Sequence, residues 1–341
     1  MTNKSGKGLG PVLIGIAGTS LSSAEKKLLC LPAVSGVVLF ARNIQCAQQL
    51  KSLCSEIRAL RQPRLLITID QEGGRVQRLR DGFTSLPALR LIGNLYKTDP
   101  DKAADYAYRH ARVMATEVLD LGIDLSFAPV LDLDAGSCVI ADRSLGAEPE
   151  QVVKLARAYI AGMRDAGMQA CGKHFPGHGS VEPDSHLADV IDRREAAEIF
   201  SKDLYPFIKL SADLASVMVA HVTYPDVAAE PAGYSRRWLI DTLRVKYGYQ
   251  GVIISDDLDM FAACAVGAMA ARVELALASG CDLVLICDNN SAEQFLNNNH
   301  AAFADTSKAI ASLYGKPEVS REEALQVPEF RHWITSLEQL N

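Results

Sequence analysis

Short apolar stretches alternate with longer amphipathic stretches along the whole chain. Eight of the short stretches are rich in branched aliphatic residues and lack the polar–apolar alternation of a half-exposed strand, which predicts strands buried on both faces. The predicted strands are residues 12–16, 36–40, 65–70, 125–127, 169–174, 217–221, 251–255 and 282–286. The stretches between them have the spacing of an amphipathic helix, with an apolar residue at every third or fourth position.

The predicted helices fill the intervals between the strands. They cover residues 23–31, 47–60, 103–121, 151–166, 195–210, 236–247 and 263–278, with an eighth inside 291–314. This alternation predicts a parallel sheet covered by helices. Eight units favour a closed (β/α)8 TIM barrel over an open doubly wound sheet, and no GxGxxG motif follows the first strand. No linker or change in composition divides the chain, so we expect a single domain over residues 1–341.

The composition narrows the class of protein. The chain has 341 residues, of which 48% are hydrophobic, and a net charge of −6 without a basic cluster, so we expect no nucleic-acid partner. The longest apolar runs are too short to span a bilayer, so we expect no membrane association either. Residues 11–17 have the outline of a signal peptide, but their short apolar core, interrupted by Gly15, favours the first buried strand.

The cysteines indicate the compartment. They show no CxxC spacing and lie mostly in apolar stretches, which is typical of buried, reduced thiols and not of a zinc site or a disulfide framework. The eight positions are Cys30, Cys46, Cys54, Cys138, Cys171, Cys264, Cys281 and Cys287. We therefore expect a cytoplasmic protein.

Polar residues stand repeatedly at the carboxyl ends of the predicted strands. They are Asp70, Lys173, His174, His221 and Asp256. The active sites of barrel enzymes are built at this end of the strands, so the pattern predicts an enzyme. The alternative is that each of these residues is only a helix cap or a satisfied internal polar group.

The loop after the fifth strand concentrates titratable groups. Residues 173–179 read Lys-His-Phe-Pro-Gly-His-Gly, and Asp184-Ser185-His186 follow. Residues two apart on an extended loop share a side, so the Asp184 carboxylate can reach the His186 imidazole. Such a partner orients the ring and favours its protonated form, which predicts a proton donor near neutral pH.

Two acidic segments complete the candidate site. Asp256 and Asp257 are adjacent after the seventh strand, and because successive side chains alternate, only one is expected to face the cleft. A carboxylate there could attack an electrophilic carbon, ligate a metal or hold a sugar hydroxyl. Asp70 is followed by Arg78, and Arg143 lies in a similar acid–arginine context, which suits a polyhydroxylated ligand or, alternatively, an internal ion pair.

Two other classes of protein remain open on the residues alone. His174, His178, Asp184 and His186 could ligate a metal in a metal-dependent hydrolase, although their spacing matches no HExxH motif. A sugar-binding protein without catalysis is the other alternative.

Long motifs in the sequence resemble those of a known enzyme family. The chain is similar to the bacterial β-N-acetylhexosaminidases of glycoside hydrolase family 3, of the single-domain type used in peptidoglycan recycling. The resemblance covers nearly the whole length. The motifs that carry it are residues 36–43, 70–78, 127–132, 173–179 with 184–186, 231–235 and 255–258.

The resemblance implies a fold, a reaction and a set of roles. The fold is a (β/α)8 barrel, and the reaction is retaining removal of terminal β-linked N-acetylglucosamine from peptidoglycan fragments that end in 1,6-anhydro-N-acetylmuramic acid, with or without peptide. Asp256 resembles the nucleophile, His186 the general acid/base and Asp184 its partner. Positions that resemble the sugar-binding set are Asp70, Arg78, Arg143, Lys173 and His174. We expect no metal and no cofactor, and, since the fold needs no partner, a monomer.

Overall fold

The computed structural model of the protein describes residues 8–181, 190–264, 266–299 and 302–341. Within these residues, eight parallel strands form an inner ring, and each overlaps one predicted from the sequence. The strands are β1 (Val12–Gly15), β2 (Val34–Leu39), β3 (Leu66–Ile69), β4 (Leu125–Ser126), β5 (Cys171–Phe175), β6 (Ser216–Val219), β7 (Val252–Asp257) and β8 (Leu283–Ile286). The segments 184–186 and 1–7 lie outside the described residues.

The ring closes through the segment that follows β4. The strands are paired in the order β4-β3-β2-β1-β8-β7-β6-β5. Between the two ends of this order, the Cys171 N–H donates to the Ala128 carbonyl at 2.8 Å and the Leu131 N–H donates to the Lys173 carbonyl at 2.7 Å. These bonds join β5 to the chain after β4, so the prediction of a (β/α)8 barrel is confirmed. A barrel suits these strands because both of their faces are covered, one by the interior and one by helices.

Helices surround the ring. Their bounds are Ser23–Leu29, Ala47–Ala59, Leu89–Leu95, Pro100–Asp120, Pro149–Ala166, Ala196–Ser201, Tyr205–Leu210, Arg237–Lys246, Phe261–Cys264, Met269–Ser279, Asn289–Asn298, Ser307–Ala311, Arg321–Gln326 and Pro328–Glu338. Arg237–Lys246 is a π-helix, and three 3₁₀ turns cover Ala41–Asn43, Ala141–Arg143 and Ala232–Tyr234. A two-stranded hairpin, Gln71–Gly73 with Val76–Gln77, follows β3.

Two predicted helices are each divided in the structure. The stretch 195–210 breaks at Asp203, whose buried carboxylate lies 2.9 Å from Arg194, and Pro206 then begins the second helix. Proline has no N–H to donate and is best tolerated in the first turn of a helix, where Pro206 stands in the helix Tyr205–Leu210. The stretch 263–278 breaks at Gly267, which has φ +110°, a conformation that favours glycine.

Three helices lie where no helix was predicted from the sequence. They are Leu89–Leu95, Arg321–Gln326 and Pro328–Glu338, and they lie outside the regular strand–helix alternation. The last of them packs on the helix Pro100–Asp120, where the Trp333 and Tyr108 rings meet edge to face at 6.0 Å. Short helices of this kind are held mainly by such tertiary contacts, so their own pattern is weak.

Local signals place the helix starts that support the barrel. Ser22 forms a capping box with Glu25, and the side chains of Asp99 and Asp288 each accept a bond from the first turn of the following helix. Most of the buried hydrophobic residues form one cluster, whose members range from Leu9 to Leu337. In the described part of the chain, no helix has both the length and the hydrophobicity to cross a membrane.

Candidate active site

A pocket of about 400 Å³ opens at the carboxyl ends of the strands. Its charged lining comes from β5 and β7 and from the chain that follows β3, β4 and β5. The ionisable residues in this lining are Asp70, Glu72, Arg75, Arg78, Arg143, Lys173, His174, His178, Asp256 and Asp257. The structure thus brings together six of the eight predicted site residues. The other two, Asp184 and His186, lie outside the described residues.

Four charged side chains on one wall form a network around Lys173. The Lys173 Nζ lies 2.7 Å from Asp70 Oδ1 and 2.6 Å from Glu72 Oε1. Arg143 reaches both Glu72 oxygens at 2.8 Å in a bidentate pair. Glu72 is buried, and burial raises its pKa, but the Arg143 and Lys173 charges outweigh that effect and hold the pKa well below its usual range. The network therefore presents fixed donors and acceptors to the pocket.

Arg78 makes weaker contacts than the other predicted sugar-binding residues. Its Nη2 atom lies 3.9 Å from Asp70 Oδ2, and its guanidinium is 5.9 Å from the centre of the Phe40 ring. Both distances leave the guanidinium fork free to take a better acceptor. Arg78 and Asp70 together can offer a donor and an acceptor to vicinal hydroxyls of a sugar.

A buried aspartate orients His174. The Asp132 Oδ2 atom lies 2.7 Å from His174 Nδ1, and the Asp132 carboxylate also accepts the backbone N–H groups of His174 and His178, the latter at 2.7 Å. Burial raises the pKa of Asp132, but the interactions with His174 lower it below the usual value. His174 Nε2 then faces Arg143 at 3.4 Å, on the pocket side. Asp132 thereby fixes the ring orientation, as carboxylate partners of functional histidines do.

The two adjacent acids of β7 have different surroundings. Asp256 Oδ1 accepts the Asp257 N–H at 2.8 Å. Asp257 Oδ1 accepts the N–H groups of Asp259 and Cys287, each at 3.1 Å, so Asp257 is fastened to the end of β8. Both residues line the pocket, and the prediction that only one of them faces the cleft is wrong in that sense. Asp256 nevertheless accepts one backbone N–H where Asp257 accepts two, so more of the Asp256 carboxylate is available to a ligand.

The same surroundings shift the pKa values of the two acids in opposite directions. Burial raises the pKa of Asp256, but the nearby His174 and His221 side chains, the Asp257 N–H and Lys173 lower it below the usual value. Burial raises the pKa of Asp257 to about 7, and the Asp259 carboxylate adds to the effect. Asp256 is therefore an anion throughout the neutral range, as a nucleophile or a hydroxyl acceptor must be.

We expect the stability of the protein to report the raised pKa of Asp257. Between about pH 4 and pH 7 the folded protein keeps a proton that the unfolded chain releases, so stability falls as pH rises through that window. Asp257→Asn removes this penalty. Relative to wild type, the variant should gain about 1–2 kcal/mol of unfolding free energy between pH 4 and pH 8.

Urea unfolding at a series of pH values measures this gain. Asp241→Asn is the matched control, because Asp241 is an exposed member of a long ion pair with Arg237, and its effect should stay within about 0.5 kcal/mol at every pH. A difference between wild type and Asp257→Asn that does not grow with pH would contradict the assignment.

Two further histidines stand at the site. His221 lies two residues after the end of β6, and His178 lies three residues after the end of β5. Both are buried. Among the described residues, neither imidazole has a hydrogen-bond partner on its ring nitrogens. Burial lowers the pKa of both rings. His221 was predicted at this position from the strand-end pattern, and it lies within electrostatic reach of Asp256.

The described residues on either side of 182–189 are tied together. The Ser180 hydroxyl donates to Asp192 Oδ2 at 2.7 Å, and Arg194 binds the same oxygen at 2.7 Å. The Asp192 N–H donates to the Thr223 carbonyl at 2.8 Å, which fastens the segment to the chain after β6. The described residues on the two sides of the stretch that carries Asp184 and His186 are therefore held to each other and to the chain after β6.

Sequence reasoning assigned no role to Glu72 or Asp132. Glu72 precedes a Gly-Gly turn and Asp132 ends an apolar run, and both belong to motifs noted above. Neither position indicates which residue the carboxylate will bind. Glu72 meets Arg143 across 71 positions and Asp132 meets His174 across 42. One signal was available, since both follow strands whose carboxyl ends point to the site.

Glu72→Gln should damage both stability and substrate binding. The change leaves Lys173 and Arg143 buried with less compensating charge, and breaking a buried ion pair costs about 3–5 kcal/mol. We expect a loss of about 3 kcal/mol in the unfolding free energy. We also expect KM to rise about tenfold or more with a smaller change in kcat, because Lys173 and Arg143, which it orients, are predicted to bind the ligand in both the ground and the transition state.

Chemical unfolding and steady-state kinetics on the same preparations test this expectation. Glu56→Gln is the control, since Glu56 pairs with Lys26 on the exposed surface and should change stability by less than about 1 kcal/mol. Equal effects of the two substitutions would remove the positioning role of Glu72.

A metal centre finds no support in the described part of the chain. There, no group of three or more histidine, cysteine, aspartate or glutamate side chains is arranged to hold a metal ion. His174 and His178 lie with ring centres 6.1 Å apart and belong to different hydrogen-bond environments.

Comparison with known proteins agrees with the geometry. Residues 9–313 match the glycosyl hydrolase family 3 N terminal domain. A beta-hexosaminidase of Alkalilimnicola ehrlichii is 50% identical over 286 residues, which cover 83% of this chain and 82% of the relative. One of Thiobacillus denitrificans is 46% identical over 338 residues, covering 96% and 94%. The crystal structure of NagZ from Neisseria gonorrhoeae superposes with a TM-score of 0.91 at 41% identity, covering 98% of both chains.

A closed barrel with a carboxylate-lined pocket at the carboxyl ends of its strands, together with these relatives, defines a glycoside hydrolase. The chain belongs to glycosyl hydrolase family 3. The resemblance noted from the sequence motifs is thereby confirmed, and the alternative of a metal-dependent hydrolase of another family is not needed.

Proposed function

We propose that the protein is a retaining exo-β-N-acetylglucosaminidase. The observation that carries the proposal is the position of Asp256, an anionic carboxylate in the wall of a pocket that also holds Lys173, Asp70 and Arg143. The charged wall suits the hydroxyls of one sugar ring, and the carboxylate can then meet the anomeric carbon. A volume of about 400 Å³ suits a single terminal residue of a glycan, which favours exo action.

The proposed reaction has two steps. In the first, an Asp256 oxygen forms a bond to the anomeric carbon while the glycosidic bond breaks, and His186 donates its proton to the departing oxygen. In the second, neutral His186 takes a proton from water, and the water oxygen displaces Asp256 from the glycosyl ester. Two inversions give net retention. Asp184 holds the imidazole and favours its protonated form before the first step.

The sugar and its natural context are also part of the proposal. The relatives named beta-hexosaminidase and the complex of Neisseria gonorrhoeae NagZ with N-trifluoroacetyl-D-glucosamine support a 2-acetamido sugar in the pocket. We infer that the natural substrates are peptidoglycan fragments in which N-acetylglucosamine is joined to 1,6-anhydro-N-acetylmuramic acid, with or without peptide. The physiological role would then be recycling of the cell wall.

Proton NMR of the first product tests activity, sugar and stereochemistry together. Early spectra of a reaction on a β-N-acetylglucosaminide should contain β-N-acetylglucosamine, which mutarotates slowly to the α anomer. First-formed α anomer would overturn the two-step mechanism. Release of glucose but not of N-acetylglucosamine from matched glycosides would overturn the sugar assignment.

A substrate-assisted mechanism is the competing route within the same activity. There the acetamido oxygen of the substrate attacks the anomeric carbon, and the Asp256–Asp257 pair only supports it. A 2-deoxy-2-fluoro glycoside with a good leaving group separates the two routes. Mass spectrometry should find the sugar attached to Asp256, whereas an assisted mechanism leaves the protein unlabelled.

Three further expectations accompany this proposal. We propose that residues 1–341 form a single domain and act as a monomer, for which the continuous hydrophobic cluster provides support. We propose a cytoplasmic location, because Cys54, Cys171, Cys281 and Cys287 are buried as single thiols in the core, as is usual in a reducing compartment.

A further inference from the structure

Phe261 is an exposed aromatic residue that directly follows Met260, a residue of the pocket lining. Among the described residues, six large hydrophobic side chains are exposed, and Phe261, at 51% exposure, is the one with an aromatic ring. Exposed single aliphatic residues are common on protein surfaces, but an exposed aromatic ring beside a ligand pocket is a frequent binding feature.

Phe261 is close to the proposed nucleophile along the chain. Phe261 lies five positions after Asp256 and directly follows Met260, which lines the pocket. The Met260 N–H donates to the Asp257 carbonyl at 3.2 Å, so the chain turns tightly at the mouth and does not lead away from it.

Hydrogen bonds fasten the described residues around the ring. Arg272 donates to the Leu258 carbonyl at 2.8 Å and to the Gly267 carbonyl at 2.6 Å, which closes the loop from both sides. The Tyr234 hydroxyl donates to the Ala263 carbonyl at 3.3 Å. Ala262 and Ala263 are buried, so the short helix is anchored while the Phe261 side chain remains outside. The exposed ring is therefore carried by a short helix that these hydrogen bonds fasten to its neighbours.

We propose that Phe261 is a specificity-determining residue that stacks on the leaving part of the substrate. This inference rests on the proposed function: when the terminal sugar fills the pocket, the leaving group occupies the mouth. The face of an aromatic ring is electron-rich, and the axial C–H bonds on the flat side of a pyranose are weakly positive. The occupant that fits is therefore a ring-shaped aglycone with an apolar C–H face, such as a second hexosamine.

Two substrates with the same terminal sugar and different leaving groups test the proposal. N,N′-diacetylchitobiose has a sugar as its leaving group, whereas 2,2,2-trifluoroethyl β-N-acetylglucosaminide has one too small to reach the ring. Phe261→Ala should lower kcat/KM for the disaccharide about fivefold to tenfold, mainly through KM, and change that for the trifluoroethyl glycoside by less than about twofold. Phe261→Trp should restore the disaccharide rate, and Phe261→Leu should not, since it lacks a flat face.

Val245→Ala is the matched control, because Val245 is 74% exposed on the helix Arg237–Lys246, and the change should affect neither substrate. Equal losses on both substrates, or no loss on either, would overturn the stacking role while wild-type turnover keeps the proposed function intact. If wild type releases N-acetylglucosamine from neither substrate, the proposed function itself falls and the inference falls with it.

Discussion

Asp256→Ala should abolish turnover on every substrate, with a loss of about 10³-fold or more in kcat. In the proposed mechanism the removed side chain makes the bond to the anomeric carbon, so no choice of leaving group can compensate. The structure supports this choice between the two adjacent acids, because Asp257 is fastened to Cys287 and Asp259 while Asp256 stays anionic in the pocket. Steady-state assays on an aryl glycoside and on a disaccharide measure the loss.

Azide distinguishes a missing nucleophile from a damaged fold. In Asp256→Ala a small anion can enter the space of the lost carboxylate and attack an activated glycoside from that face, which yields an α-configured glycosyl azide. Asp257→Asn serves as the neighbouring control and should keep measurable turnover, because an amide oxygen can still accept the N–H groups of Asp259 and Cys287. Wild-type-like turnover in Asp256→Ala would shift the nucleophile to Asp257.

His186→Ala should show the second-largest effect, and the effect should depend on the leaving group. A disaccharide needs proton donation to its departing oxygen, so its kcat should fall about 10²–10⁴-fold. Nitrophenolate leaves without that help, so the first step on a nitrophenyl glycoside should be almost unchanged. The second step should be slow, because the proposed base, His186, is missing. Rapid mixing should then reveal a burst of nitrophenol followed by a slow phase.

The reaction of the proposed glycosyl-Asp256 ester with azide distinguishes His186→Ala from Asp256→Ala. Azide needs no general base, so it should accelerate the slow phase of His186→Ala and give a β-configured glycosyl azide. His332→Ala, which removes an exposed histidine from the helix Pro328–Glu338, should behave as wild type. A uniform decrease for all leaving groups, without a burst, would remove His186 from the acid/base role.

Much of the fold was available from the sequence because it depends on local patterns. A strand buried on both faces must be apolar at successive positions, and a helix on a barrel must be amphipathic, so eight units of each kind could be counted. Asp70, Lys173, His174 and Asp256 were found by one rule, that the carboxyl ends of barrel strands meet at one place. The divided helices were missed, because Asp203 and Gly267 disturb only a few residues inside a longer amphipathic pattern.

The sequence by itself determined the strands, the barrel and the set of residue types at its mouth, since these follow from periodicity and from the common direction of parallel strands. It also carries the prediction for Asp184 and His186. Only the tertiary structure decided that Glu72 neutralises Lys173 and Arg143, that Asp132 orients His174, and that Asp257 is bound to β8. Those pairings join residues far apart in the chain, and their distances and burial exist only once the ring has closed.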